Sequence, residues 1–532
     1  MSTEILRTRL GVPEGIVYWV LAFDYAGKVW YFSDTELDIP YQGGVLRVES
    51  GLSTQVQLEQ RLSLFSSGSE GVSLSIDLYF PESIAAIIAR GYSLTYARAK
   101  LYYYVDGSNW ADAVPVVGGV VLDPVYGDES EPVSFTLSQT ISDDTAVIIP
   151  VTQTVSSSTW ADAADAALGR LYPLVFGSPG VISSSQGTKN TSGSPALFVD
   201  TVGSRLLIAG HHVLAGQVRI TDDANAEDFP VINTVDALNQ PVALVDISGA
   251  STITIDETQD YYVVWNNGGG LVNPQNPQAA LELGGDLLLY ILGKSSITID
   301  TPALSALQAK LNGYVFAGFI DDTVSPLAWT QANLLPTMPV SLISSPGGLS
   351  GVLWDYDSSL LQHAKPAWVL NTGITAERVS PVNYQSSNYG TFKVDYGLRK
   401  RTGDFLAFQI RTYNRDSSDP NQSGGAYCQA AYNRITRAGG KPGVKAVSSS
   451  IIYNGVTAGK WLSWLERAYA LETRSVSYSV PIRDSAGLEL GARGLVYDTD
   501  LSWAGVWGRV EAISINNQIV TVEVRILDDL TV

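Results

Sequence analysis

Arg509-Val-Glu-Ala-Ile-Ser-Ile-Asn-Asn-Gln-Ile-Val-Thr-Val-Glu-Val-Arg-Ile526 is the stretch whose pattern decides the class of the fold. Before Asn516-Asn517, Ile513 and Ile515 are two apart; after it, Val520, Val522, Val524 and Ile526 alternate with Thr521, Glu523 and Arg525. Successive side chains of a strand point to opposite faces, so this spacing buries one face of each arm. Two such arms about a short polar turn predict a hairpin over 509–515 and 519–526. Upstream, Val476, Tyr478 and Val480 alternate, as do Phe392, Val394 and Tyr396, and Leu406, Phe408 and Ile410. Between them a helix is expected over 460–471. Its residues Trp461, Trp464, Leu465, Ala468 and Tyr469 recur at i, i+3, i+4, i+7 and i+8, the spacing of one helix face, and are assigned to the core.

The same signature opens the chain. Residues 17–23 and 28–32 flank a turn ending at Gly27, and Val72, Leu74, Ile76, Leu78 and Phe80 alternate. Strands are expected over 97–105 and 114–122, with the Gly118-Gly119 pair marking a bulge or a close backbone approach, and Val133, Phe135 and Leu137 alternate again. One short helix is expected over 84–90. Ser156 to Thr159 and Gly169 look like the two ends of a helix over 160–168. The stretch 181–380 is acidic and rich in short runs, with strands expected over 205–209, 242–247, 252–255, 261–265 and 286–292, a helix over 303–311, and Gly/Ser-rich loops over 183–194 and 344–350. The expected fold is therefore mainly β with a few short helices, a multidomain β and α+β chain. Two β-barrel or sandwich domains, 1–150 and 381–532, flank a helical connector at 151–180 and a β-rich middle of one or two domains at 181–380.

Size and charge narrow the function. A chain of 532 residues exceeds what one core supports, so several domains are expected. The net charge is −20. Residues 1–389 hold 16 basic and 39 acidic groups, a net of −23, and residues 390–532 hold 17 and 14, a net of +3. An acidic body repels nucleic acid and anionic membranes, although a channel that lets DNA slide without sticking is well lined by acid. The single cysteine, Cys428, excludes an intrachain disulfide, which fits assembly in a reducing cytoplasm. Met1-Ser-Thr-Glu-Ile-Leu-Arg7 lacks the basic-then-apolar order of a signal peptide, and the early apolar run 16–23 falls short of the roughly 20 residues of a membrane helix. No export signal and no membrane segment are expected.

Catalysis finds no anchor. Histidine occurs three times, at His211, His212 and His363, and adjacent strand residues point apart, so His211-His212 is read as structural rather than as a metal pair. Gly293-Lys294-Ser295 ends like a phosphate-binding loop but has Leu288 where that loop needs glycine. Asp222, Asp223, Asn225, Glu227 and Asp228 crowd one loop without EF-hand spacing and read as a solvated turn. Asp355 and Asp357 would share one strand face, a weak sign of a glycosidase pair. No catalytic, cofactor-binding or metal-binding residue is assigned. Arg399-Lys400-Arg401 sits at an expected hairpin tip; it is either a solvated turn or a subunit contact that meets an acidic neighbour.

Three segments carry a resemblance: Leu101-Tyr-Tyr-Tyr-Val105 with Val116-Val-Gly-Gly-Val-Val-Leu122, Arg170-Leu-Tyr-Pro-Leu-Val-Phe-Gly177, and the Trp-rich stretch 461–483. In these and in the order of its parts the chain resembles baseplate hub and tail-tip proteins of tailed bacteriophages. The resemblance touches about half of the chain and does not include 180–380. It implies a homotrimer in which each subunit supplies two tube-like domains, here 1–150 and 381–532. It also implies a place in the virion at the tail tip, between the tail tube, the distal tail ring and the spike or fibres, enclosing a channel through which DNA passes as cargo. The alternative is a receptor- or glycan-binding tail fibre or adhesin component, for which 27 Tyr and 12 Trp would supply stacking surfaces.

Overall fold

The computed structural model describes residues 16–25, 27–53, 56–62, 73–79, 94–126, 131–138, 149, 153–222, 225–345, 347–354, 365–485, 487–516 and 518–527. The expected helix at 84–90 lies outside the described residues. The chain is mostly β, with several sheets and short helices.

The first nine strands are β1 (Val17–Tyr25), β2 (Lys28–Ser33), β3 (Leu37–Tyr41), β4 (Gly44–Ser50), β5 (Gln57–Arg61), β6 (Ser73–Leu78), β7 (Arg98–Val105), β8 (Val114–Val125) and β9 (Val133–Ser138). Eight of them form sheet A in the order β3-β4-β2-β1-β7-β8-β9-β6, antiparallel except where β2 meets β4. The alternation seen in the sequence faces inward: Leu21, Phe23, Leu74, Ile76, Leu101, Val117, Phe135 and Leu137 are buried together.

β5 leaves this sheet. It joins sheet B, which contains β24 (Trp368–Asn371), β25 (Glu377–Arg378), β26 (Asn383–Gln385), β31 (Thr473–Pro481), β32 (Arg493–Asp498), β33 (Trp503–Asn516) and β34 (Ile519–Ile526). The hairpin expected from the terminal stretch is β33–β34. β33 is long enough to serve two partners on one edge. β32 pairs with it as far as Arg509, and β5 takes over from Ala512, where Arg61 is the partner. The inner faces of sheets A and B make one core, in which Val476, Tyr478, Val480, Val510, Val522 and Val524 pack with the residues of sheet A.

Between these ends, β10 (Leu174–Phe176) pairs with β21 (Gly318–Ile320), and β11 (Val181–Ser184) forms a hairpin with β12 (Gly187–Asn190). A closed six-stranded barrel follows: β13 (Ser194–Asp200), β14 (Arg205–Ala209), β15 (Gln217–Thr221), β16 (Ala226–Val235), β17 (Pro241–Asp246) and β18 (Tyr261–Asn267). Phe198, Leu206, Ile208, Ile220, Val245 and Trp265 fill it, and the Trp265 indole N–H donates to Ser194 Oγ at 2.7 Å. Next come β19 (Val272–Asn273), β20 (Asn276–Ala280), α1 (Gly284–Leu292), α2 (Thr301–Leu311), α3 (Pro326–Trp329), and the hairpin β22 (Val340–Ser345)–β23 (Gly348–Leu353). Sheet C is made of β27 (Tyr389–Leu398), β28 (Phe405–Thr412), β29 (Gln422–Gly424) and β30 (Gly443–Ser448), with α4 (Ala426–Arg437) and α5 (Gly455–Ala470) packed on it.

Several expectations are corrected. Residues 160–168 form successive turns, not a helix. Their backbone groups bond outward: Ala164 N–H donates to Phe198 O, Thr201 N–H to Asp162 O, and Gly169 N–H to Val155 O, so no i−4 ladder forms. The connector instead lies on the barrel's outer face, where Val155, Ala167 and Tyr172 cover Leu197, Leu207 and Leu244. Residues 286–292 belong to helix α1 rather than a strand. Leu287, Leu288, Ile291 and Leu292 are buried, and a short apolar run has the same signature in a buried strand or helix. Gly285 lets α1 approach α2 closely, since a Cβ there would lie 2.3 Å from Gln308 O. Residues 252–255 bend rather than extend, because Thr254 N–H donates to Asp222 Oδ2. The Gly/Ser-rich loops contain hairpins, β11–β12 and β22–β23, and Ser341, Ser344 and Ser350 are buried. Helix α4 was not expected. The packing also divides the C-terminal region in two. Residues 368–385 and 473–526 build sheet B, whereas sheet C and its helices share a core with α1, α2 and β22–β23.

Trp354 marks the seam between these layers. Its N–H donates to Pro339 O at 2.7 Å and its indole N–H to Ser341 Oγ at 2.6 Å. Its carbonyl accepts from the indole of Trp464 on α5 at 3.2 Å. Its ring lies 4.2 Å from the guanidinium carbon of Arg509 on β33, a side chain with 0% exposure. Glu511 pairs with Arg509 at 2.7 Å and with Arg525 at 3.4 Å. Trp354→Ala is expected to lower the unfolding free energy by about 3–5 kcal/mol, the usual cost of emptying such a site. Trp354→Phe, which keeps a ring over Arg509 and loses the bond to Ser341, is expected to lose about 1 kcal/mol. Denaturant titration followed by tryptophan fluorescence and circular dichroism checks both.

Candidate interface residues and a cleft beside the first sheet

The basic run 399–401 lies at the tip between β27 and β28, as its spacing predicts. The structure ties it to the middle of its own chain. Lys400 Nζ reaches Asp321 Oδ2 at 2.7 Å and lies 4.9 Å from the centre of the Phe319 ring. Lys400 N–H donates to Ser192 O and Arg401 N–H to Ser192 Oγ. Arg401 is exposed and Arg399 half-buried.

The expected helix face is enclosed. Trp461, Trp464, Leu465 and Ala468 are buried, and Tyr469 packs against them half-buried. α5 begins earlier than expected because Asn454 caps it, accepting from Val456 and Thr457 N–H. The same helix supplies Glu466, which is 1% exposed. Its Oε1 accepts from Tyr427 and Cys428 N–H, both at 3.0 Å, and its Oε2 lies 2.6 Å from Arg411 Nε. Glu466 therefore closes the N-terminus of α4, whose own cap residue, Gly425, has no side chain to do so. Burial, then the Glu466 charge, pushes the Cys428 thiol up, which disfavours the reactive thiolate.

The other residues singled out are spent on local structure. His211 Nε2 accepts from Val175 N–H at 3.0 Å and its Nδ1 lies 2.9 Å from His212 O, while His212 Nε2 lies 2.9 Å from Thr234 O. Burial pulls His211 down to about 4, so it is neutral near pH 7. Gly293 to Ser295 follow the last turn of α1, and Lys294 sits over the Tyr290 ring at 5.0 Å. In the acidic loop, Asp222 accepts from Asn225 and Thr254 N–H, Glu227 from Ser251 and Thr252 N–H, and Asp228 pairs with Arg219 at 2.7 Å. Asp223, Asp355 and Asp357 lie outside the described residues. Among the described residues, no group of three or more His, Cys, Asp or Glu side chains could hold a metal ion, and no helix is long and apolar enough to cross a membrane.

Two surfaces escaped the sequence reading. β30 is an edge strand of sheet C, and its Val444 is 61% exposed. The other is a cleft of about 480 Å³ between the outer face of sheet A and the tip of β22–β23; Asp24, Tyr31, Arg98, Lys100 and Tyr102 line one side and Ser344 and Ser345 the other. Its walls come from segments some 200 residues apart, so no sequence window shows it.

No protein-family model matches the chain, and no curated protein matches it. Solved structures similar to it include a tail protein from Neisseria meningitidis MC58, at 9% identity over 96% of this chain and 96% of that chain with a TM-score of 0.36. A 43 kDa tail protein of prophage MuSo2 from Shewanella oneidensis is similar at 11% identity over 97% of this chain and 99% of that chain, with a TM-score of 0.31. A chain of a native gene transfer agent virion is similar at 14% identity over 50% of this chain and 84% of that chain, with a TM-score of 0.19.

Three predictions come from the buried groups. Cys428 is expected to resist a thiol reagent at pH 8 in the native protein and to react fully once unfolded, and Glu466→Ala is expected to destabilise by about 3–5 kcal/mol by stranding Arg411 and the α4 N-terminus. His211 titrates lower folded than unfolded, so the unfolded chain binds more protons between about pH 6.5 and 4. Its contribution is complete above pH 6.5 and lost as pH falls towards 4, with a slope of at most about 1.4 kcal/mol per pH unit. His211→Gln should flatten that part of a stability–pH curve.

Proposed function

We propose that this chain is a structural, non-catalytic component of a bacteriophage tail, placed at the hub of the tail tip and working as a homotrimer. The observation that carries the reading is the shared core of sheets A and B. A single chain presents two large β sheets that share one core, with β5 stitched from one end of the chain into the other. Three copies would then offer six β sheets, the arrangement that the resemblance implies for meeting a hexameric tube. The proposed neighbours are the tail tube, the distal tail ring and the spike or fibres, with assembly in the host cytoplasm and DNA passing only as cargo. The charge supports a non-sticking channel, since residues 1–389 carry a net of −23. The basic tip at Arg399, Lys400 and Arg401 is kept as the proposed subunit contact. Lys400 anchors it to its own chain through Asp321, and Arg401 is exposed beside it.

Light scattering of the purified chain at several concentrations tests this. The chain mass is 57.1 kDa, so a particle of about three times that mass is expected. Arg401→Glu is expected to shift the population towards monomer at the lower concentrations. A monomer at every concentration, with and without the tail-tube protein, would overturn the trimer.

A further inference from the structure

The cleft beside sheet A is built like a ligand site. β7 places Arg98, Lys100 and Tyr102 on the outer face of sheet A, where they stand opposite Asp24, Ala22 and Val20 of β1. Tyr31 of β2 stands opposite Ala22 on the same face. Opposite Lys100 on its other side is Gly118, whose missing side chain opens the floor. Trp110 braces the two tyrosines, with ring centres 5.3 Å from Tyr31 and 4.8 Å from Tyr102. Burial raises both tyrosine hydroxyls, which therefore remain donors at neutral pH.

The facing wall is preorganised. Ser345 Oγ lies 3.1 Å from Asp300 Oδ2 and 3.0 Å from Gly348 O. Leu349 N–H donates to Thr298 O, and Asp300 N–H to Leu349 O. Gly348 has φ +120° and a Cβ there would lie 2.3 Å from Thr298 O, so the tip can take this path only with glycine. Ser344 lines the same wall, but its hydroxyl is enclosed within the protein and does not face the cleft.

We infer that this cleft binds a short acidic saccharide, of about two or three sugar rings. A cleft of about 480 Å³ matches a small-molecule ligand. Braced aromatic rings suit the C–H face of a sugar, and the Ser345 hydroxyl and Asp24 suit its hydroxyl groups. Arg98 and Lys100, both exposed on this face of a chain of net charge −20, offer two cations to a carboxylate or sulfate on the sugar, while Asp300 on the facing wall is engaged by Ser345. An acidic peptide would satisfy the two cations and leave the braced rings without a ring-shaped partner.

Calorimetric titration of the full chain tests the inference with a trimer of galacturonate, sialyllactose and a sulfated disaccharide, each beside its neutral counterpart. At least one acidic sugar is expected to bind with a Kd of about 1 mM or tighter, an ordinary value for a small ligand. Its neutral counterpart should bind at least tenfold more weakly. Arg98→Gln and Lys100→Gln, both at exposed positions, should each weaken binding several-fold with circular dichroism and oligomeric mass unchanged. The inference is overturned if no acidic sugar binds better than its neutral counterpart, if the two variants bind as well as the parent, or if hexaglutamate binds in the variant-sensitive manner and the sugars do not. The mass measured alongside separates this outcome from that of the trimer.

Discussion

A guanidinium with no solvent exposure, stacked on an indole, holds the layers of this protein in register. Arg509 is carried by sheet B and Trp354 by the end of the β22–β23 hairpin, and α5 reaches the same indole through Trp464. A buried cation costs several kcal/mol unless it is paired. Glu511 supplies the charge, and the ring of Trp354 supplies a favourable face. A one-residue slip of β33 against its neighbours would turn Arg509 and Glu511 together to the other face, away from Trp354 and Arg525. The seam thus favours one arrangement of the two layers, beyond what apolar burial alone would specify.

The acidic excess has a related explanation. Many carboxylates act as local fasteners. Glu227, Asp246, Asp256 and Asp416 each accept backbone or hydroxyl donors of a nearby turn, and these bonds hold all four below the usual carboxylate range. Asp300 caps α2 and steadies the β22–β23 tip with one side chain. Carboxylates used in this way leave a surface that is strongly negative without forming a chemical site.

What was legible in the sequence follows from the range of the interactions concerned. The β33–β34 hairpin, the alternation of Val476, Tyr478 and Val480, the α2 helix behind Pro302 and the Trp461–Trp464 face all depend on neighbours a few residues away. Helix α4 was invisible because its N-terminus is capped by Glu466, 39 residues beyond Tyr427. The turns at 160–168 imitate a helix locally, and strands that arrive later decide their hydrogen bonds. Helix α1 is apolar on nearly every side and lacks a periodic signature. The division of the ends was hidden for the same reason, since β5 belongs to a sheet whose other strands begin at Trp368. The cleft is assembled only when the hairpin tip meets sheet A, and none of its residues is distinctive alone.

The placement of β5 also governs when this molecule can become itself. Arg61 pairs with Glu523, 462 residues away. The ribosome therefore releases the first strands long before their partner on β33 exists. Closing so long a loop costs entropy that local contacts cannot offset early, and such topologies fold slowly. Until β33 has been made, β5 and the inner face of sheet A present unpaired edge and apolar surface to solvent. The finished subunit is consequently a late, cooperative event. A chain truncated before β33–β34 is left with an open sheet, prone to aggregate rather than to fold.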